Sequence, residues 1–344
     1  MPSGRWIGLV YVMMWASAFT NGAFPALLPD IGRAGHLADW QLGTLAGAFG
    51  FARLLTNVPA GLFITHHLRR AMAIPPVLLV AGALCLSTGG PFGVLVLGRA
   101  LMGAGLTLNM LSGLTAILTY RAGAALTSSL NVFELAAMVG MLGGVSLISV
   151  LPRALSWNAV LLIACAPLLL HAALLPFVLA RLPRRDAADP PPPMFARGAA
   201  PAAGERAGRG LLPLAFAAGG AAALGYATIE QFILPVRGSR EFGLDRVGIA
   251  HIMMVAQACD IAVLLPVGAI ADRHGPPRVL AVILATFAAA TALISFGGLP
   301  LVYTGAVLLG LSMAGWMLPV GILRSVTPSA QVAWRTALYR MSVD

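Results

Sequence analysis

The chain has 344 residues, of which 59% are hydrophobic and only 10% are charged, and its mean hydropathy is +0.87. Soluble domains are nearer half apolar and a quarter charged, so this composition excludes an ordinary soluble protein and indicates a polytopic membrane protein. The net charge of +10 would suit a nucleic-acid-binding protein, but the placement of the basic residues argues against that class.

Ten apolar segments are long enough to cross a bilayer as helices, which takes about 20 residues each. In chain order they predict spans 1 to 10 at 6–29, 40–65, 71–89, 91–118, 127–150, 157–180, 211–236, 246–271, 279–297 and 300–323. Long apolar runs favour helices over the short alternating strands of a membrane barrel. The predicted fold class is therefore an all-α polytopic membrane protein with about ten transmembrane helices.

Residues 181–210 interrupt the apolar pattern between spans 6 and 7. Their sequence, RLPRRDAADPPPPMFARGAAPAAGERAGRG, is rich in Pro, Gly, Ala and charge and predicts a flexible cytoplasmic linker. The linker divides the chain into an N-terminal six-helix bundle at 1–180 and an incomplete C-terminal bundle at 211–344. The second bundle would hold four helices and the start of a fifth, so that two helices are expected to be missing.

All 22 basic residues are arginines, and they concentrate on alternate loops. With a cytoplasmic N-terminus, fifteen arginines lie on the cytoplasmic side and five on the other, while Arg53 and Arg99 lie inside helices. This asymmetry follows the positive-inside rule and predicts a multi-pass protein of the bacterial cytoplasmic (inner) membrane with its N-terminus in the cytoplasm. Three dispersed cysteines, all within predicted spans, indicate neither redox chemistry nor a metal site, and no cofactor is predicted.

The two halves of the chain match at a fixed offset of 207 residues. The matching pairs are Pro59 and Pro266, Gly61 and Gly268, His67 and His274, Gly98 and Gly305, and Gly103 and Gly310. A shared offset across two helices without gaps predicts an internal repeat, and parallel six-helix repeats are one of the known transporter plans.

Three motifs make the chain resemble the major facilitator superfamily. The loop signature G-x-x-x-D-R-x-G-R-R is represented after span 8 by Gly268, Asp272, Arg273 and Gly275, and after span 2 by a weaker copy that keeps Gly61, Arg69 and Arg70. In that weaker copy Thr65 replaces the acid. The span 4 signature R-x-x-x-G-x-G matches Arg99, Gly103 and Gly105, while the antiporter signature of span 5 is only partial, at Gly140, Gly143 and Gly144.

The resemblance implies a gating role for the loop after span 8. Asp272 would approach the cytoplasmic start of span 5, at Thr127, Ser128 and Ser129, where unpaired N–H groups attract an anion. This contact would form in one conformation and break in the other. The alternative is a solvated turn whose arginines only set topology. In either case Gly275 is expected to reverse the chain, with Pro276 and Pro277 starting the next helix.

Ionisable side chains at bilayer depth are costly, so each one is a candidate for function. Arg53 and Asp260 differ by the same offset of 207 and would face each other across a central cavity, although each could equally find a partner within its own half. For Arg99 the resemblance implies proton transfer or substrate anchoring. Glu134, set in an apolar stretch, suits a protonation switch or a structural hydrogen bond. The proton-coupling candidates are thus Glu134, Asp260, Arg99 and Arg53.

Uncharged and interfacial polar residues within the spans give candidates for a substrate cavity. They are Asn21, Asn109, Tyr226, Glu230, His251 and Gln257. The resemblance implies that spans 1, 4 and 7 line the cavity, which favours Asn21, Asn109 and Tyr226. For any one of these residues, a hydrogen bond that joins two helices is the competing explanation.

Two classes of function follow from this sequence. The first is a secondary active transporter that moves a small organic solute by alternating access, coupled to protons and with a mild preference for efflux. The chain has no GxxxxGK[ST] loop, so direct drive by ATP is not predicted. The second is a membrane scaffold or a degenerate remnant of a transporter. Neither predicts an enzyme or a nucleic-acid partner; the expected partners are a solute, protons and the lipid bilayer, with the oligomeric state left open.

Overall fold

The computed structural model describes residues 5–120, 124–182, 211–315 and 318, which form helices and turns without a strand. The helices are α1 Arg5–Ala34, α2 Asp39–Ser87, α3 Phe92–Tyr120, α4 Ala124–Val150, α5 Trp157–Cys165, α6 Pro167–Arg181, α7 Leu211–Thr228, α8 Leu234–Arg240, α9 Arg246–His274, α10 Pro276–Phe296 and α11 Leu299–Met313. A five-residue π-helix, Ile229–Ile233, joins α7 to α8.

The described helices confirm a multi-pass membrane protein. Seven of the described helical stretches are long and apolar enough to cross a membrane, and α11 is a shorter apolar helix. Large apolar side chains such as Leu169, Val282 and Phe296 are exposed on the surface of the fold. Exposure of these side chains to water would be unfavourable, whereas in a bilayer they face acyl chains of the same polarity.

Helix α2 contains both span 2 and span 3. A straight helix of its 49 residues would be about 74 Å long, more than twice the thickness of the hydrocarbon core. The helix is interrupted at His67, whose φ of −134° and ψ of 44° are not helical. Side chains from before and after this kink, Ile64 and Ala71, pack in one buried cluster with Leu108 of α3. The kink therefore lets two spans pack on the same neighbour.

The chain divides into two compact units. Unit 1 comprises Met1–Pro190 and Pro235–Met254, and unit 2 comprises Pro191–Leu234 and Val255–Asp344. Unit 1 thus includes α8 and the start of α9 in addition to α1–α6. Unit 2 contains α7, the π-helix, the rest of α9, and α10 and α11.

The same close helix contact occurs once in each unit at positions 207 residues apart. A Cβ built on Gly103 would lie 2.3 Å from the carbonyl oxygen of Phe49, and a Cβ on Gly310 would lie 2.0 Å from that of Ala256. No side chain fits at either glycine, so both allow two backbones to touch. Since 49 and 103 correspond to 256 and 310, the contact supports the repeat that the sequence predicts.

The turn after α9 is built as the sequence predicts. Gly275 has a φ of +87°, a conformation that side chains with a Cβ rarely adopt, and Pro276 is the first residue of α10. His67, the residue that corresponds to His274 at the end of α9, is where α2 is kinked. The two halves therefore interrupt the helix at matching places, but only the second uses a glycine with positive φ.

Candidate functional site

A buried arginine forms the centre of the polar cluster in unit 1. Arg99 lies on α3 with 0% of its surface exposed. The carbon at the centre of its guanidinium is 3.7 Å from the middle of the Phe24 ring and 4.4 Å from that of Phe49. One of its terminal nitrogens donates a 3.4 Å hydrogen bond to the side-chain oxygen of Asn21. Three helices, α1, α2 and α3, thus contribute to holding one cation.

The Arg99 cluster offsets only part of the cost of burying a charge. Contacts of a cation with aromatic faces contribute on the order of 0.5–2 kcal/mol each, less than the penalty for desolvating an unpaired guanidinium. Its Nε and second terminal nitrogen find no hydrogen-bond partner among the residues the structure describes. Arg53 is drawn to the same aromatic side chain, with its guanidinium 5.8 Å from the centre of the Phe49 ring. Two predicted proton-coupling residues therefore share one phenylalanine.

A second polar network in unit 1 joins α1, α3 and α6. The amide of Asn109 donates a 3.1 Å hydrogen bond to the hydroxyl of Ser17, and that hydroxyl lies 2.8 Å from Nδ1 of His171. The Ser17 hydroxyl also donates a 3.0 Å hydrogen bond to the carbonyl oxygen of Met13. All three side chains are buried. Asn109, predicted to face a substrate, is thus engaged in holding three helices together.

Unit 2 gathers four of the predicted site residues around the π-helix. Glu230 is 2% exposed, and its carboxyl accepts a 2.8 Å hydrogen bond from the amide of Gln257. Tyr226, one turn earlier, also hydrogen-bonds to Glu230, and Asp260 is close enough to interact with it electrostatically. The Oδ1 atom of Asp260 is buried without a hydrogen-bond partner among the described residues. Two carboxyl groups therefore interact with each other in this part of unit 2.

The π-helix explains how Glu230 reaches this position. An extra residue in one turn rotates the side chains that follow it, and such insertions are frequent at functional sites. Glu230 is the second residue of the π-helix, which ends one residue before α8 begins. The motif YATIEQF carries no sequence signal for this irregularity. Sequence analysis grouped Glu230 with the interfacial polar residues, whereas the structure buries it.

The remaining predicted residues are placed separately. Glu134 is half-buried on α4, while His251 is exposed on α9 and joins none of the clusters described above. Arg53 and Asp260 belong to different units, and their pairing stays a prediction.

Of the gating-loop residues, Arg69 donates a 2.9 Å hydrogen bond to the carbonyl of Leu182 at the end of α6. Arg70, Gly268 and Arg273 are exposed. The side chains of Asp272, Thr127 and Ser128 lie outside the described residues. The predicted gating contact of Asp272 is therefore left as it was inferred from the sequence.

Sequence analysis missed a polar clamp at the end of unit 1 where α1 ends and α9 begins. Arg246, the first residue of α9, is only 5% exposed. Its terminal nitrogens donate to the carbonyl oxygens of Pro152 at 2.8 Å, Leu155 at 2.9 Å and Arg153 at 3.2 Å, and lie 3.5 Å from the carboxylate of Asp30. Sequence analysis counted Arg246, at the start of span 8, only among the five arginines of the non-cytoplasmic side, because backbone carbonyl partners leave no trace in a sequence.

Two ion pairs accompany the clamp. Arg153 pairs with Asp245, the residue before Arg246, and Arg240 at the end of α8 pairs with Asp39 at the start of α2. The hydrogen bond and charge of Asp39 raise the pKa of Arg240 above its usual value. An open cavity of about 440 Å³ lies beside Arg240. Its wall is formed by Pro29, Gly32, Arg33, His36, Leu37, Leu42, Val236, Ser239 and Arg240.

The described part of the chain holds no cluster of three or more His, Cys, Asp or Glu side chains that could bind a metal ion. What the clusters offer is charge: a buried cation on aromatic rings in unit 1, and buried carboxyl groups in unit 2. Such groups can bind a charged solute or take up and release a proton.

Comparison with known proteins bears on the fold. The family model described as Major Facilitator Superfamily matches residues 10–238, two thirds of the chain. No curated protein sequence matches the chain.

Among solved structures, a mutant peptide transporter, POT, in complex with sulfate superposes with a TM-score of 0.79 at 12% identity, over 98% of this chain and 85% of that chain. A POT family transporter in complex with 5-aminolevulinic acid gives a TM-score of 0.76 at 12% identity, over 98% and 88% of the two chains. A bacterial homologue of the human lysosomal transporter Spinster, inward-facing and unoccupied, gives 0.70 at 15% identity, over 99% and 79%. At such identities these likenesses show the fold alone.

Proposed function

The chain belongs to the major facilitator superfamily, and we propose that it moves a small organic solute across the membrane by alternating access, coupled to the movement of protons. Membership of this family makes it a secondary transporter and not an enzyme. Alternating access means that the solute site opens to one side of the membrane at a time as two bundles rock about it. We place the protein in a bacterial inner membrane with a cytoplasmic N-terminus.

The observation that supports proton coupling is the pair of carboxyl groups in unit 2. Glu230 and Asp260 interact electrostatically, and neither has a basic partner in the hydrogen bonds and ion pairs described for it. Two negative charges that interact in an apolar setting repel each other and are poorly solvated, and binding a proton relieves both costs. A carboxyl that takes up a proton on one side of the membrane and releases it on the other is what coupling requires.

The Arg99 cluster in unit 1 is the proposed binding site for the solute. A guanidinium without a carboxylate partner among the described residues can attract an anionic group, and the rings of Phe24 and Phe49 can pack against an apolar one. Asn21 would add a polar contact. The solute that would suit these buried groups, once a change of conformation exposes them, is small and organic and carries at least one negative group. Efflux is the direction we favour, on the partial antiporter motif of span 5.

Proton flux in reconstituted vesicles tests the proposal. Purified protein would be placed in liposomes containing a pH-sensitive dye, and solutes would be added one at a time. Because related folds are solved with 5-aminolevulinic acid and with peptides, the panel would include both, together with small carboxylic acids and cationic dyes. We expect at least one anionic solute to drive proton movement. Asp260→Asn and Glu134→Gln would then be compared with the native chain.

The outcomes separate the two classes of function. Solute-dependent proton flux that Asp260→Asn abolishes supports coupling through unit 2, and flux that only Glu134→Gln abolishes moves the coupling site to unit 1. Solute uptake without proton movement keeps the transporter and rejects protons as the coupling ion. If stably folded protein moves no member of a broad panel, the membrane scaffold becomes the better explanation.

A further inference from the structure

The polar cluster of unit 2 is rich in hydrogen-bond acceptors and poor in donors. Its side chains are those of Tyr226, Glu230, Gln257 and Asp260, which we call the Glu230 cluster. Two carboxyl groups and one amide oxygen accept, while the amide of Gln257 and the hydroxyl of Tyr226 both bond to Glu230. In the part of the chain that the structure describes, no ion pair joins Glu230 or Asp260 to a basic residue.

Two oxygens of the Glu230 cluster are buried without a donor. Gln257 is 8% exposed, and because its amide nitrogen donates to Glu230, its Oε1 points away from that bond. This Oε1 and the Oδ1 of Asp260 have no hydrogen-bond partner among the described residues. Gln257 and Asp260 lie three residues apart on α9 and so share the helix face that meets Glu230. Burial removes water from both oxygens, and no described N–H or O–H group replaces it.

Oxygens without donors beside two acids are the ligands that a hard cation requires. Such ions bind carboxylate, amide and hydroxyl oxygens, whereas transition metals favour the thiol or imidazole groups that this cluster lacks. Ca²⁺ takes about six to eight oxygens and Mg²⁺ retains several waters, but Glu230, at 2% exposed, leaves little room for a water shell. Because the cost of desolvating an ion rises with the square of its charge, a small monovalent ion is favoured over a divalent one.

The π-helix is a second reason to expect an ion in this cluster. It carries Glu230 in the wide turn Ile229–Ile233, and π turns are frequent at functional sites. Irregular helix turns in transporters also make backbone carbonyls available to coupling ions. All four members of the Glu230 cluster belong to unit 2, so the site is complete within one unit.

We propose that the Glu230 cluster binds one Na⁺ ion, held by the carboxylates of Glu230 and Asp260 and by Oε1 of Gln257. The ion gives each oxygen that lacks a donor a positive partner, and it offsets the repulsion between the two acids. The hydroxyl of Tyr226 keeps the Glu230 carboxylate in place. That Na⁺ also replaces the proton as the coupled ion rests on the proposed function, whereas binding of Na⁺ does not.

Binding to the purified full-length protein tests the site without any solute. Radioactive Na⁺ would be titrated at constant ionic strength with choline as the replacement cation, and melting in detergent would be followed in the same series. We expect saturable binding of about one ion per chain and a melting temperature that rises with Na⁺, since a ligand of the folded state stabilises it. Asp260→Asn and Glu230→Gln should each weaken binding about tenfold or more. Glu241→Gln, which changes an exposed acid paired with Arg237, is the control that should bind Na⁺ as the native chain does.

A pair of variants at Gln257 tests the amide oxygen separately and serves if neither acid variant folds. Gln257→Met and Gln257→Glu both lose the N–H donor to Glu230, but only glutamate keeps an oxygen at this position. We therefore expect Gln257→Glu to bind Na⁺ more tightly than Gln257→Met does. Equal losses in the two variants would overturn the assignment of this oxygen as a ligand.

The native protein alone can decide against the site. If Na⁺ neither binds nor stabilises it relative to choline, the site is overturned, and the proposed proton coupling is unaffected. Binding that survives in both acid variants overturns the location, and stabilisation by Ca²⁺ or Mg²⁺ but not by Na⁺ overturns the choice of ion. Na⁺ binding to the Glu230 cluster of a protein that moves no solute would support the site and reject the transport proposal.

Discussion

Glu230 and Gln257 come from different helices of unit 2 and are joined by a 2.8 Å hydrogen bond, in which the amide of Gln257 donates to the carboxyl of Glu230. Glu230 lies in the π-helix and Gln257 one turn before Asp260. The bond therefore ties the irregular turn of span 7 to the part of span 8 that carries the second acid. A change in the protonation of either acid would therefore affect the contact between spans 7 and 8.

The first prediction concerns the loss of this acid. Glu230→Gln preserves the size and an oxygen acceptor for Gln257 but cannot bind and release a proton. Accumulation of solute driven by a pH gradient should fall about tenfold or more, while exchange of internal for external solute without a gradient should persist. Both are measured as labelled-solute uptake in proteoliposomes. Glu241→Gln is the control that should behave as the native chain, because Glu241 is an exposed acid just after α8 that pairs with Arg237.

Equal loss of gradient-driven uptake and of exchange in Glu230→Gln would contradict this role. It would show that Glu230 binds the solute or supports the fold. Normal uptake would remove it from the mechanism altogether.

The second prediction concerns the aromatic setting of Arg99. Lysine keeps the charge but lacks the flat guanidinium that lies near the rings of Phe24 and Phe49. Arg99→Lys should therefore lose transport nearly as fully as Arg99→Gln, by about tenfold or more. Phe49→Leu should weaken apparent solute affinity in the same direction. Uptake rates over a range of solute concentrations, on protein amounts matched by fluorescence, give both values.

Full activity of Arg99→Lys would show that charge alone suffices there. The contact of the guanidinium with the two rings would then contribute to packing and not to transport. Calorimetry would measure binding of an anionic solute to the purified variants. Weaker binding would show that the solute site is lost, whereas native binding would show that a conformational step is lost.

The third prediction tests the repeated close contact. Alanine at Gly103 or Gly310 would place its Cβ against the backbone oxygen of Phe49 or Ala256, and backbone cannot move aside cheaply. Overpacking of this kind costs about 1–3 kcal/mol. Both variants should unfold in detergent at a lower temperature than the native chain. Gly50→Ala is the matched control, because nothing lies within 4 Å of its Cβ position and alanine favours the helix.

If Gly310→Ala proved as stable as Gly50→Ala, the two halves would not share this contact, and the repeat would rest on sequence spacing alone.

Much of the fold could be predicted from the sequence because a bilayer imposes simple rules. Apolar runs set the spans, and α3, α4 and α9 begin and end within a few residues of the predicted limits. Gly275 and the prolines after it predicted a turn that the structure contains. These features are local: each depends on residue type and neighbours along the chain, which the sequence displays directly.

The site was only partly predictable, since its contacts join residues far apart along the chain. Arg99 and Glu230 stood out as charges in apolar surroundings, but the rings that surround Arg99 and the π-helix that carries Glu230 have no local signature. Arg246 was missed because it lies at the end of a span, where arginines are common, and its partners are mostly backbone atoms. Burial of an interfacial arginine depends on three-dimensional packing.

The fourth prediction tests orientation. With the three native cysteines replaced by alanine, a cysteine at the exposed position of Ala34, in the last turn of α1, should react with a membrane-impermeant thiol reagent added to intact cells. A cysteine at Ala200 in the linker should react only after the cells are opened. This prediction follows from the excess of arginine in the linker and in the loops on the same side of the membrane, which marks that side as cytoplasmic. The reverse pattern would place the N-terminus outside and invert the assignment of both ends.

The last prediction separates helix association from solute binding at Asn109. Its amide donates a hydrogen bond to the Ser17 hydroxyl, which is also in hydrogen-bond contact with Nδ1 of His171. The three side chains therefore join α1, α3 and α6. Ser17→Ala leaves two buried polar groups without this partner and should cost about 1–3 kcal/mol of unfolding free energy, seen as a lower melting temperature in detergent. Asn109→Ala should also lower the melting temperature while leaving the solute concentration at half-maximal uptake unchanged. Thr44→Ala, at an exposed helix position, should leave both unchanged. A weaker apparent affinity in Asn109→Ala at native stability would return this residue to the solute cavity that the sequence first predicted, and would assign the Ser17 network to the solute site as well.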